Sequence, residues 1–280
     1  MPRIPLLSLL CFAVLSPASS LHAQEQTEAQ VWHMVATYLT KEAQLALADL
    51  PPPDPALQRE REFCAAVVLL DQQPVTEARL DEADRRLAAL IAAEPGDYIA
   101  HAGLYLRGRI AQVFRAEPDH DAAAAHYRAL LAKNTNDHWT NLARVKLALL
   151  QIYVLPAATP AARIDAVEAM IPGVTDRITL RDLHRLTARG ILFYSLSRAR
   201  ALAHLLKADA IGGLRGNPAA DLVVQICELA WDLGDRELAA VYREKLRTEY
   251  PRDARIFMIE RRFAGEPVPT GSHGRKESSE

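Results

Sequence analysis

The stretch Leu233–Pro251, LGDRELAAVYREKLRTEYP, decides how the rest of the chain is read. Leu238, Val241, Tyr242 and Leu246 recur at helical spacing and form one apolar stripe, opposite Arg236, Glu237, Arg243 and Glu244. Gly234 marks a tight turn, Asp235 supplies an N-cap for the helix that follows, and Pro251 stops it. Such a helix cannot bury its stripe alone. It needs the helix before it, read at Asp221–Asp232, and a further unit along the chain. Ala239 is small enough for two helix backbones to approach closely. The same alanine-to-proline interval of 12 residues recurs far upstream, between Ala83 and Pro95 in LDEADRRLAALIAAEP.

These spacings resemble the tetratricopeptide repeat, a helix–turn–helix unit of 34 residues. Gly234 matches the glycine of its turn, Ala239 the small residue where its helices cross, and Pro251 its closing proline. Ile226 and Cys227 stand where the family has a leucine and a small residue, and Ala230 replaces the usual aromatic. Trp139, Leu142 and Ala143 in HWTNLARVKL match the tryptophan, leucine and small residue of a first repeat helix. The likeness covers residues 62–95, 136–147 and 219–252. It implies an α-solenoid of antiparallel helix pairs whose first helices line a concave, peptide-binding surface. Carried over position by position, it puts Asp137, Thr140 and Arg144 on that surface.

Composition agrees with an all-α chain. Half of the 280 residues are hydrophobic but only 6% are aromatic, so alanine and leucine carry much of the apolar content. No stretch alternates apolar and polar residues between paired turn signals. The formal net charge of −2 lacks the basic excess typical of nucleic-acid binding.

The first 23 residues read as a secretory signal: Arg3, an apolar run from Ile4 to Leu15, then small and polar residues ending at Ala23. Cleavage is expected after Ala23, or alternatively after Ser20. The run is too short for a standard transmembrane span. Cys11 falls inside it and is read as part of the leader. Loss of Arg3 makes the net charge −3. The mature chain is therefore expected to be exported, periplasmic or secreted, with residues 24–264 forming the repeat region. Residues 265–280, rich in Gly, Pro, Ser and charge with little to bury, are expected to be a disordered tail. The remaining Cys64 and Cys227 lie 163 positions apart in apolar helical contexts and read as buried thiols.

In chain order, residues 25–49 read as one helix with Val31, Met34, Val35, Tyr38, Leu39 and Ala46 inward, ended by Pro51-Pro52-Pro53. Helices follow at 55–73, 76–93, 98–115, 121–133 and 161–170. Residues 179–208 read as one long helix or two abutting ones with Gly190 as the weak point, and Gly212, Gly213, Gly216 and Pro218 mark the widest break. A last helix spans 254–263.

The sequence carries no phosphate loop, GxSxG elbow, HExxH or CxxC pair. His120, His126 and His138 lie near Asp119, Asp121 and Asp137, but their spacing does not put ligands on one helix face, so capping or surface roles are expected. Trp139 and Trp231 are read as packing residues. Arg181, Arg185 and Arg189 recur every fourth residue, placing three guanidiniums within about 12 Å along one helix face. Such a stripe either receives an acidic segment or is a solvated face salted by Asp176 and Asp182. The reading is a non-catalytic protein-interaction module without a cofactor or metal, taking a protein or peptide partner, an acidic one if the arginine stripe receives it. A small-ligand binder or enzyme on a helical array is the alternative.

Overall fold

Nine helix starts are written into the sequence as side-chain caps. Thr27, Thr76, Asp97, Asp119, Asp137, Thr159, Asp176, Ser197 and Asp235 each accept a hydrogen bond from the backbone N–H three residues on. This satisfies one of the orphan donors at each helix N-terminus. The computed structural model describes residues 27–265. The expected signal peptide and its cleavage sites lie outside them, as do residues 266–280 of the expected tail.

The described residues are all-α, with no strand. The helices are α1 (Glu28–Ala36), α2 (Thr40–Asp49), α3 (Gln58–Asp71), α4 (Glu77–Ala93), α5 (Tyr98–Arg109), α6 (His120–Leu131) and α7 (His138–Tyr153). They continue with α8 (Pro160–Glu168), α9 (Arg177–Phe193), α10 (Arg198–Ile211), α11 (Asn217–Asp232), α12 (Arg236–Glu249) and α13 (Arg255–Phe263). A π-helical turn, Ile110–Phe114, extends α5. No described helix is long and apolar enough to cross a membrane.

Consecutive helices pair, from α1 with α2 to α11 with α12, and each pair rests on the next. First helices also pack on one another from α1 through α3, α5 and α7 to α9. Successive second helices lack comparable contact, so the first helices form an inner row and the second helices splay outward. The core is correspondingly segmented into four overlapping clusters, with Trp32 bridging two at the amino end and Trp139 bridging the next two. That is the packing of a repeat-like array, in which each unit contacts its neighbours.

Small residues sit where helices meet. Ala83 and Ala239 are fully buried, and the thiol of Cys227 donates to the Ala239 carbonyl at 3.4 Å. Cys64 and Cys227 are both free and buried. The α12 stripe turns inward through Ala239, Tyr242 and Leu246, with Leu238 half-buried. Val241, expected on that stripe, is 62% exposed because the buried face is centred one position away.

Three other expectations change. Residues 25–49 form two helices, because α1 ends at a Schellman motif with Tyr38 at φ +61°. The Leu39 N–H returns to the Met34 carbonyl at 2.8 Å and the Tyr38 N–H to Val35 at 3.1 Å. Tyr38 and Leu39 consequently face solvent. Residues 179–208 form α9 and α10, and the break lies at Ser195 (φ +53°) rather than Gly190, with the same pattern of return bonds from Ser195 and Leu196. Gly190 lies inside α9, where it serves a close approach of side chains: a Cβ there would lie 2.7 Å from Ile164 and 2.9 Å from Ile152. The helix expected to run to Arg115 gives way at Ile110 to the π turn.

Candidate functional site

Four successive first helices build one aromatic groove. Trp32 comes from α1, Glu60, Phe63 and Val67 from α3, Tyr98, Ile99 and Leu106 from α5, and Trp139 from α7. Residues 60, 63 and 67 share one face of α3 by helical spacing, as do 99 and 106 on α5. The groove has a volume of about 600 Å³ and is open along one side. Phe63 is buried at its base and Tyr98, 58% exposed, stands at its rim. The rings support one another: Trp32 lies 5.7 Å from Phe63, and Trp139 lies 5.9 Å from Tyr98 and 5.5 Å from Tyr105. The indole N–H of Trp139 is buried with no acceptor among the described residues, a donor left without its desolvation repaid.

Two polar links set the spacing of the helices around the groove. Arg59 on α3 donates two bonds to Asp97, at 2.7 and 2.9 Å, while Asp97 caps α5 through the Ala100 N–H. The Arg59 guanidinium holds the Asp97 carboxyl below the usual carboxylate range. One unit on, His101 Nδ1 lies 2.6 Å from Asp137, which caps α7 through the Thr140 N–H and accepts from the Thr135 hydroxyl. These links lie beside Glu60, Tyr98 and Trp139 in sequence and hold three first helices at their amino ends.

Asp137, Thr140 and Arg144 therefore do not form the surface that the repeat resemblance put there. Asp137 is committed to capping and to His101. Thr140 is fully buried and its hydroxyl lies 2.8 Å from that of Thr135. Arg144 is half-buried and donates to the Met170 carbonyl at 3.0 Å. The inner face of α7 is carried instead by His138, Trp139, Leu142, Val145 and Leu149, rotated from the expected positions.

The arginine stripe divides. Arg181 is 8% exposed, donating to Asp182 at 3.0 Å and to the Gly212 carbonyl at 3.3 Å. Arg185 is half-buried, with its nearest carboxylate, Asp182, 3.8 Å away, and burial lowers its affinity for the proton. Arg189 is exposed and has no ion-pair partner among the described residues. Arg185 and Arg189 line a second hollow of about 260 Å³ with Val145 and Leu149 of α7 and Asp182 and Leu186 of α9. Lys146 on α7, half-buried, is pushed down in pKa by burial and by nearby Arg109. The inner row thus runs from aromatic to cationic.

No family model, curated protein or solved structure matches the chain. The site's own chemistry carries the reading.

Asp119 and Asp137 cap helices, as their position before a helix suggested. No group of three or more His, Cys, Asp or Glu residues able to hold a metal ion occurs among the described residues. Trp231 packs against Phe263 at 4.3 Å with Arg236 stacked on its ring, and Trp139 packs against two core clusters while it also walls the groove. Sequence reasoning missed Trp32, Phe63, Val67 and Tyr98 as lining residues. Their common feature was legible only as apolar positions on alternate helices.

Proposed function

We propose that this chain is a tetratricopeptide-like interaction module that binds an extended segment of a partner protein along its inner row of first helices. The observation that carries the reading is the aromatic groove, built by residues of four alternate helices and open along its length. Its lining offers large apolar and aromatic surface with one carboxylate, Glu60, and no converging acid–base pair. The occupant is a segment with aliphatic or aromatic anchors for the Trp32–Trp139 groove. Acidic residues in the same segment are drawn to Arg185 and Arg189. The leader-like first 23 residues support a periplasmic or envelope setting for this module.

The repeat assignment is supported by Gly234 at φ +83° between α11 and α12 and by the buried Ala83 and Ala239. Ala239→Leu should lose about 1–3 kcal/mol by overpacking at the helix crossing. Unchanged urea denaturation would remove the register at 219–251.

Two of the three tryptophans line the groove, so their emission reports its occupancy. Peptides selected by display on the mature chain should be rich in aromatic or aliphatic residues with flanking Asp or Glu. They should shift the emission, and Tyr98→Ala should weaken them while leaving the melting temperature nearly unchanged. Peptides that bind equally well to Tyr98→Ala and to an Arg185→Gln, Arg189→Gln variant would defeat the proposal.

The size of the groove favours a second reading. A volume of about 600 Å³ falls within the range of small-molecule sites. In that case an apolar compound should co-purify and appear in native mass spectra, and peptide selection should yield no consensus.

A further inference from the structure

Between α9 and α10 two histidines face each other in the core. His184 and His204 are 6% and 7% exposed, and their Nδ1 atoms lie 2.8 Å apart. The other nitrogen of His204, Nε2, lies 2.8 Å from Oε1 of Glu168 on α8. Glu168 is engaged by Arg200, at 2.8 Å to one oxygen and 2.6 Å to the other, which keeps its carboxyl below the usual range. Arg200 also reaches Asp165 at 2.6 Å.

Hydrogen-bond accounting determines where the protons sit. An ionised Glu168 only accepts, so His204 Nε2 donates. A neutral His204 then has a bare Nδ1, and His184 must donate to it from its own Nδ1. One added proton can be housed: His204 becomes an imidazolium donating at both nitrogens, and His184 moves its proton to Nε2. A second proton cannot be housed, because both Nδ1 atoms would then carry hydrogen across a 2.8 Å gap.

We propose that His184, His204 and Glu168 form an acid-operated latch between α9 and α10, closed while the pair carries at most one extra proton and opened by the second. Arg185 and Arg189 lie on the helix this latch holds.

The surroundings favour this behaviour. From α8, Glu168 acts on both rings; from α10, Lys207 acts on both and Arg200 on His204. On α7, Arg144 is turned to the Met170 carbonyl. On α11, Asp221 is held by Arg255 and Asp232 by Arg198 and Arg262. The same core receives apolar Ala148 and Ile152 from α7 and Val223 and Ile226 from α11. Burial is the largest influence on both histidines and lowers both, His184 to about 4. A histidine whose folded value lies below its unfolded value of 6.5 binds protons better when unfolded. Its stabilisation is therefore complete above 6.5 and is lost as pH falls toward 4. A shift of that size corresponds to about two orders of magnitude in the folding equilibrium.

The test follows the histidine ring nitrogens of the mature chain by NMR from pH 7.5 to 4. Expected are a proton on Nδ1 of His184 and on Nε2 of His204 at neutral pH, with His184 still neutral at about pH 5. Amide exchange in α9 and α10 should quicken in acid before exchange in α3 to α6. His184→Asn keeps a donor amide near the Nδ1 position but cannot titrate, so its melting temperature should fall less than the wild type's between pH 6.5 and 4. Carboxylate effects are common to both proteins and cancel in that comparison. Both rings titrating together near 6.5, or the reverse tautomers, would overturn the latch, and that reading needs only the wild-type protein.

Discussion

Gly108 backs directly onto the ring of Tyr127: a Cβ added at Gly108 would lie 2.3 Å from Cε1 of that tyrosine. Tyr127 is fully buried, and its hydroxyl donates to Gln112 in the π turn at 2.8 Å. The α5–α6 crossing is therefore closer than any side chain at position 108 would allow, and Tyr127 ties the turn to the core.

Gly108→Ala separates packing from helix propensity. Alanine is preferred over glycine in a helix by about 1 kcal/mol, whereas overpacking costs about 1–3 kcal/mol. With a buried ring in the way, the second effect wins, and urea denaturation should show a net loss. Tyr127→Phe, which keeps the ring but leaves Gln112 Oε1 only the longer 3.5 Å bond from Arg109, should cost about 1 kcal/mol.

Asp97 combines a helix cap with an ion pair, and pH resolves the two. Its folded pKa lies below the ordinary 3.8 because Arg59 hydrogen-bonds the charged form. The contribution is present above 3.8 and is lost as pH falls through the depressed value. Asp97→Asn retains a cap and should lose only the Arg59 part, flattening the acid limb of the stability profile. Asp97→Ala should lose about 1 kcal/mol more at pH 7. An acid limb identical in Asp97→Asn and wild type would show that the Arg59 link contributes nothing.

How far the sequence revealed these features depends on range. Helix starts were legible because Thr76, Asp97 and Asp235 act within three residues, and the Pro51–Pro53 break because proline acts on its own backbone. The ends of α1 and α9 were not, since Tyr38 and Ser195 adopt a conformation that usually signals itself with glycine. Here the return bonds offset the cost. The groove was illegible for a different reason. Trp32, Phe63, Tyr98 and Trp139 are separated by 31 to 41 residues and meet only because successive first helices stack. Arg181 similarly looked like its neighbours at 185 and 189 until the Gly212–Gly213 loop covered it.

Burial pushes the thiols of Cys64 and Cys227 up to about 11. Only about a thousandth of either would be thiolate at pH 8, and the thiolate is the reactive form. Both should resist a thiol-specific disulfide reagent in the native protein and react at once in urea. Rapid native labelling of either cysteine would contradict the burial.

Arg181, Arg185 and Arg189 now yield separate predictions. Arg181 bonds the Gly212 carbonyl from a buried position, so Arg181→Gln should destabilise the α9–α10 end of the chain by about 1–3 kcal/mol, with a lower melting temperature. Arg185 and Arg189 have little to lose in the free protein, because the first has only a distant carboxylate and the second none. Replacing both with Gln should leave melting within about 0.5 kcal/mol of wild type. If the inner row receives an acidic segment, the same double variant should bind it at least tenfold more weakly at low salt, since a charge-assisted hydrogen bond contributes about 1.5–3 kcal/mol. Wild-type affinity should also fall as salt rises, whereas that of the double variant should change less. Unchanged binding with unchanged melting would make the two arginines a solvated face. A double variant that fails to fold would instead place them in the packing between α7 and α9.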